Sequence, residues 1–216
     1  MTIKPITLPF DYIVVEGTIG AGKSELAKRL VDYYHATFIK ERPEDNPFLL
    51  RFYSNTGHLA LATQLAFLQQ RIAMAQNMFA PEMATSKIIV SDFLFEKDAI
   101  FAKMILDDDE LSLYRYIVDQ IAPRYPVPKL VIYLQVSEDM VKRRIAARGD
   151  EYEKIFPEGY LSRIQVAYST FFHHYNASPL LIVNTDNLIF SRDEDFYLLL
   201  QYIAKNRSVR SYFNKN

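Results

Sequence analysis

The chain has no cysteine, no tryptophan and no surplus of either charge. Without cysteine there is no disulfide, no thiolate nucleophile and no Cys-ligated zinc, a composition that suits a reducing compartment. With 25 Lys+Arg against 26 Asp+Glu the net charge is −1, so no whole-molecule field draws in nucleic acid or an anionic membrane, and any polyanion must be held by a local site. No run approaches the roughly 20 apolar residues of a membrane span. The opening MTIKPITLPFDYIVVEG lacks the basic start, long apolar run and small-residue cleavage site of a secretory leader. The expectation is a cytoplasmic protein with neither nucleic acid nor membrane as partner. Half of the 216 residues are hydrophobic and 24% are charged, which excludes a disordered chain. The 15 Tyr and 15 Phe point to an aromatic interior or cleft.

Short β-branched runs alternate with longer helical stretches, the pattern of a parallel sheet covered by helices. Strands are predicted at Tyr12–Val15, Thr37–Ile39, Ile88–Val90, Leu130–Leu134 and Leu180–Val183, each short and nearly all apolar, as burial on both faces requires. Helices are predicted at Lys23–Tyr34, Leu59–Met78, Lys97–Ile105, Asp109–Ile121, Glu138–Ala147, Pro157–Tyr175 and from Glu194 onward. Pro123, Pro126 and Pro128 read as a turn-rich connection, because apolar periodicity resumes on both sides of them. There is no internal repeat, so one domain over residues 1–216 is expected.

The strongest signal is Gly17-Thr18-Ile19-Gly20-Ala21-Gly22-Lys23-Ser24, a G-x-x-x-x-G-K-[ST] match directly between a predicted strand and a predicted helix. Phosphate oxygens need several convergent N–H donors, and a glycine-rich turn lets the backbone wrap closely enough to supply them. The following helix adds the positive end of its dipole and Lys23 a full charge. Ser24 is the candidate ligand for the Mg²⁺ that accompanies a bound ATP. A phosphate-binding loop indicates a nucleotide without indicating a reaction. The guanine-reading N-K-x-D of GTPases is absent, and transporter or ring-forming ATPases need longer chains, which leaves mainly the small-molecule and nucleotide kinases.

Glu41 closes the second predicted strand in Phe38-Ile39-Lys40-Glu41-Arg42-Pro43. The carboxyl ends of the strands of a doubly wound sheet point into the ligand crevice, where an ionised carboxylate orients an acceptor hydroxyl and takes its proton. The residues leave a second reading open, a surface Glu in an acidic turn with Glu44 and Asp45.

The chain also resembles the deoxynucleoside kinase family, in its bacterial deoxyadenosine/deoxyguanosine kinase-like branch, over nearly its whole length. The resemblance is carried by the phosphate-binding loop; by Glu41 with Asn46-Pro47-Phe48-Leu49 and Phe52-Tyr53; by Thr63-Gln64-Leu65-Ala66-Phe67-Leu68 with Arg71; by Ser91-Asp92 through Phe101-Ala102; and by Arg144-Ile145-Ala146-Ala147-Arg148-Gly149. It implies an α/β, three-layer P-loop fold with a five-stranded parallel sheet, order 2-3-1-4-5, and helices on both faces. It also implies ATP-dependent phosphorylation of a deoxynucleoside at its 5′-hydroxyl. Glu41 falls at the general-base position, Tyr53 at a partner of the sugar 3′-hydroxyl, Gln64 at the residue that reads the base, and Glu153 at a second sugar partner. Gln64 and Arg71 lie seven residues apart, hence on roughly one helix face. Gln64 could equally be a helix-surface amide. Asp98 matches the second base-edge residue; it could instead pair with Arg71 or serve as an acid at a helix N-terminus.

Arg144 and Arg148 match the lid, about residues 144–156, and their i,i+4 spacing puts both on one face, either closing over phosphates or forming a solvated basic face with Lys142 and Arg143. Asp92 matches the acid serving the Mg²⁺ site, directly or through water. Two positions depart from the pattern. Phe93 stands where relatives carry an arginine, so a cation beside the reacting oxygen is expected to be lost. Asp150 stands where the lid often carries a third arginine.

His35, His58, His173 and His174 show no metal-ligand spacing, and Asp107-Asp108-Asp109-Glu110 reads as a solvated helix start. Two other functions compete with nucleoside phosphorylation: a nucleoside monophosphate kinase, which needs more acceptor-side cations than Arg42, Arg51 and Arg71, and a nucleotide-binding regulatory or weakly catalytic subunit, suggested by Phe93. The mostly apolar Leu59–Met78 helix is expected to leave an exposed stripe that supports a homodimer.

Overall fold

The computed structural model describes residues 6–54, 59–78, 88–121, 125–148 and 156–215, with the backbone alone at 77, 78 and 148. The strands are β1 (Tyr12–Gly17), β2 (Thr37–Ile39), β3 (Ile89–Ser91), β4 (Leu130–Gln135), β5 (Leu180–Asn184) and β6 (Arg210–Phe213). The helices are α1 (Lys23–Tyr34), α2 (Leu49–Ser54), α3 (Ala60–Met78), α4 (Lys97–Ile105), α5 (Asp108–Ile121), α6 (Glu138–Arg148), α7 (Tyr160–His174) and α8 (Asp193–Lys205), with a 3₁₀ turn at Pro43–Asp45.

Side chains alternate across a strand, and here both faces of the sheet are dry. Ile13 and Val15 of β1, Ile132 and Leu134 of β4 and Leu181 and Val183 of β5 join one core, closed by Leu26 and Leu30 of α1 and Phe196, Leu199 and Leu200 of α8. Tyr12 and Val14, Val131 and Tyr133, Leu180 and Ile182 join the other, covered by Leu68 of α3, Ile100 of α4, Tyr114 of α5 and Ile164, Tyr168 and Phe172 of α7. The result is three layers, helix–sheet–helix.

The sheet has six strands, not five, in the order β2-β3-β1-β4-β5-β6 with every pairing parallel. The expected order is kept and extended by one strand. Arg210-Ser211-Tyr212-Phe213 lacks the continuous apolar run of an inner strand because it forms an edge: Ser211 and Phe213 are buried while Tyr212 is exposed. The chain leaves β1 for β2 and β3 on one side and returns to β4 on the other. The crevice opens at the carboxyl end of β1, where such sheets hold their ligands.

Two segments the periodicity does not reveal bring the acceptor side to that crevice. Pro43 starts the 3₁₀ turn, and α2 has six residues, too few to display a helical repeat. Buried Asn46 ties the two segments together: its Nδ2 donates to the Thr63 carbonyl at 3.1 Å and its Oδ1 accepts from the Phe48 N–H at 3.1 Å. That bond fixes α2, with Tyr53, against α3, with Gln64. The exposed stripe expected on Leu59–Met78 is not found. Leu61, Leu65, Ile72 and Met74 are partly buried against the core, and none of the described large apolar residues of α3 is exposed. Asp107 does start a helix, its Oδ1 accepting from the Glu110 N–H at 2.8 Å. No helix among the described residues is long and apolar enough to cross a membrane.

Candidate active site

Gly17 ends β1 with its Cα so close to β4 that a Cβ would lie 2.6 Å from the Leu134 carbonyl oxygen. The turn then runs through Gly20 (φ 75°) and Gly22 (φ 95°), left-handed conformations that only glycine adopts cheaply. Gly22 caps α1 without any side-chain hydrogen bond, so the first amides of the helix stay available to an anion. The Lys23 ammonium donates to the Gly17 and Thr18 carbonyls, each at 2.9 Å, which holds it inside the loop. Enclosure lowers its pKa, and the nearby Lys97 ammonium lowers it further.

Ser24 Oγ donates to Asp92 Oδ2 at 2.9 Å, and Asp92 Oδ1 accepts from the Glu41 N–H at 2.8 Å. One carboxylate thus joins the start of α1 to the ends of β2 and β3. Burial raises the Asp92 pKa against the hydrogen bonds from Glu41 and Ser24, so its charged form gains from a cation. Two hard oxygen donors side by side fit Mg²⁺, which takes few protein ligands and keeps several waters.

Glu41 is 8% exposed, whereas Glu44 and Asp45 face solvent, which removes the acidic-turn reading. Its Oε1 accepts from Arg71 Nη2 at 2.6 Å and its Oε2 from Lys97 Nζ at 2.6 Å. Burial pushes its pKa up, but the Lys97 and Arg71 cations outweigh burial and lower it to about 2. Arg71 Nη1 donates in turn to Asp98. Two cations and two carboxylates are therefore packed together with almost no solvent contact, an arrangement in which loss of one member leaves an uncompensated charge. Because the folded-state pKa of Glu41 lies below the ordinary 4.5, its charge contributes stability in full above that value, and the contribution is lost as pH falls toward 2. The unfolding free-energy gap between wild type and Glu41→Gln is therefore expected to be constant from pH 8 to about 5 and to close below pH 4. Urea titrations across that range check it; a gap independent of pH would contradict the ion pairing.

Gln64 and Arg71 share the cavity face of α3, as their spacing requires. Gln64 is 2% exposed, and its Oε1 has no hydrogen-bond partner among the described residues. A buried orphan acceptor is costly unless a ligand meets it, which sets Gln64 apart from a surface amide. Asp98 does not line this cavity and reaches it through Arg71. Tyr53 stacks edge-on to Phe156 and Tyr160, and the Tyr160 hydroxyl lies 3.4 Å from its own. Arg144 lines the cavity while its guanidinium donates to the carbonyls of Gly20 (3.0 Å) and Thr185 (2.6 Å), bracing the loop against the end of β5. The Arg148 side chain, Glu153, Asp150 and most of the lid lie outside the described residues.

These groups surround a cavity of about 510 Å³ that runs from Gly20–Ser24 past Asp92, Glu41 and Lys97 to Gln64, Tyr53 and Phe156, within the range of small-molecule sites. Two charged residues here escape sequence reasoning. Glu16 is wholly buried in β1: its Oε1 accepts from the Gly17 N–H (2.8 Å) and the Tyr168 hydroxyl (3.2 Å), and its Oε2 from the Leu94 N–H (2.7 Å). A carboxylate within an otherwise apolar central strand was the available signal. Lys97 had no signal beyond its place one residue before Asp98. It bears on the expectation drawn from Phe93. That ring is fully buried, edge-on to Phe95 and beneath the Arg71 guanidinium, yet the crevice keeps a cation because Lys97 enters from the first turn of α4.

The sequence model of the family described as deoxynucleoside kinase matches residues 13–205. A deoxyguanosine kinase of Bacillus subtilis is 31% identical over 158 residues, 73% of this chain and 75% of that protein. A deoxyadenosine kinase of Lactobacillus acidophilus is 30% identical over 194 residues, 83% and 88% of the two chains. Among solved structures, a deoxyadenosine kinase from M. mycoides with dCMP and a flexible dCDP bound superposes with a TM-score of 0.78 at 22% identity, over 90% of this chain and all of that one; at that identity the likeness speaks for the fold.

Proposed function

The chain belongs to the deoxynucleoside kinase family, and from that premise we propose that this cavity transfers the γ-phosphoryl group of ATP to the 5′-hydroxyl of a deoxynucleoside, with Glu41 steering the hydroxyl. The single observation that carries the assignment of roles is the buried carboxylate of Glu41, ionised by two cations and sharing one cavity with the phosphate-binding loop.

The loop amides from Gly17 to Ser24 and the Lys23 ammonium hold the terminal phosphates. Ser24 and Asp92 would hold Mg²⁺, which would supply charge neutralisation at the phosphate oxygens. Glu41 accepts a hydrogen bond from the 5′-hydroxyl and receives its proton. With a pKa of about 2 it is a weak base, which suits a loose transition state in which the proton leaves late and the carboxylate mainly positions the oxygen. Gln64 pairs with the base edge through its unpartnered Oε1, Arg71 lies beside it, positioned by Asp98, and Tyr53 with Tyr160 borders the sugar. Arg144 stabilises the loop from the lid side, and the family resemblance assigns Arg148 to the phosphates and Glu153 to the sugar. The chain works as one domain, supported by the single sheet that runs from residue 12 to residue 213. The reading includes cytoplasmic nucleoside salvage and a homodimer, whose contact surface is to be sought away from the buried face of α3.

A monophosphate acceptor fits less well, because Arg71 is engaged by two carboxylates and Arg42 and Arg51 are exposed. A purely regulatory role loses its motive now that Lys97 supplies the cation missing at Phe93. Mg·ATP offered with a panel of deoxynucleosides and of nucleoside monophosphates tests the reading. Monophosphate products from the deoxynucleosides are expected. Products from monophosphates only, or ATP binding without product, would contradict it.

A further inference from the structure

Glu41 already has one cation in Arg71, yet the fold buries a second, Lys97, 2.6 Å from the other carboxylate oxygen. Desolvating an ammonium is expensive. Arg71 alone already pairs this carboxylate, so a second buried cation on its other oxygen exceeds what neutralising Glu41 requires. Lys97 is 8% exposed and lines the cavity. An ammonium carries three N–H donors, and among the described residues the one recorded hydrogen bond from Lys97 Nζ goes to Glu41. It lines the same cavity as Lys23 of the phosphate loop, whose pKa its charge lowers. Burial lowers its pKa, but Glu41 and Glu16 raise it more, which keeps it charged.

Resting on the kinase reading above, we propose that Lys97 is a catalytic residue: with one N–H fixed on Glu41 Oε2, its remaining donors meet the acceptor oxygen and the transferring phosphoryl group, the place that Phe93 leaves without a cation. In the step, a lone pair of the 5′-oxygen forms the new O–P bond. The bond from the γ-phosphorus to the β,γ-bridging oxygen breaks, and its electron pair leaves on ADP. The hydroxyl proton passes to Glu41. Lys97 keeps its protons throughout and offsets the negative charge shared by the oxygens in flight, where a prepositioned cation acts with most effect.

The test compares Lys97→Gln, Lys97→Ala and Lys97→Arg with wild type on a deoxynucleoside and Mg·ATP. Gln and Ala are expected to lower kcat by roughly 10²–10³ with little change in KM for ATP, and Arg to recover about tenfold or more of that loss by restoring a donor with full charge. Wild-type kcat in Lys97→Gln overturns the proposal. So does a loss that Arg leaves unrepaired, or unfolding of Gln and Arg variants alike by circular dichroism, either of which would make Lys97 structural. Product from wild type keeps these outcomes separate from failure of the kinase reading, which wild type without product would signal.

Discussion

Glu41→Gln is expected to lower kcat by roughly 10²–10⁴ while leaving ATP affinity near wild type. The amide keeps the shape of the side chain but loses the charge that faces Arg71 and Lys97 at 2.6 Å each, and it offers its NH₂ to one of two cations that need an acceptor. The acceptor hydroxyl then loses both its steering partner and the destination of its proton. Because Glu41 sits on the acceptor side of the cavity, kcat and kcat/KM for the nucleoside should fall together, the signature of an interaction made in the transition state. Steady-state kinetics over both substrates, with circular dichroism as the control on folding, checks this. Wild-type kcat in a folded Glu41→Gln protein would return the residue to a structural ion pair.

Lys23→Ala is expected to bring turnover below detection, a larger loss than the roughly 10²–10³ that follows removal of one neutral donor, because a full charge on the terminal phosphates disappears. The fold should survive. Lys23 joins neither hydrophobic core, and among the described residues its ammonium bonds to the Gly17 and Thr18 carbonyls within the loop. Isothermal titration with ATP, beside the activity assay, should show binding weakened in a protein that melts cooperatively. Undiminished turnover would remove the phosphate-binding assignment from residues 17–24.

What the sequence made legible follows from the range of each signal. Helices α1 and α4 fall at their expected boundaries, and for α1 the signal is local, the Gly22 that ends the loop before it. The four inner strands β1, β3, β4 and β5 are legible for the same reason: burial on both faces writes a continuous apolar run, and β2, at the other edge, is legible from its short β-forming run Thr37-Phe38-Ile39. Strand β6 is buried on one face and wet on the other at the sheet edge, so Arg210–Phe213 reads as polar chain. In the site, Lys23, Ser24 and Glu41 are readable because a loop motif and a strand end define them. Lys97 and Glu16 are not, because their roles arise from meetings across 56 and 78 residues of sequence, Lys97 with Glu41 and Glu16 with the Leu94 amide. Phe93 shows the limit most clearly. Read by itself it announces a missing charge, and only the fold shows that Lys97 brings an ammonium into the same cavity.

The most direct measurement is product analysis by phosphorus NMR with Mg·ATP and two matched acceptors, a 2′-deoxynucleoside and its analogue lacking the 5′-hydroxyl. One ADP for each 5′-monophosphate from the first acceptor, and no phosphorylated product from the second, is the predicted outcome. Phosphoryl transfer to the analogue, or to neither compound by a folded protein that binds ATP, would contradict the claim that this cavity aligns a sugar 5′-oxygen with the end of a triphosphate.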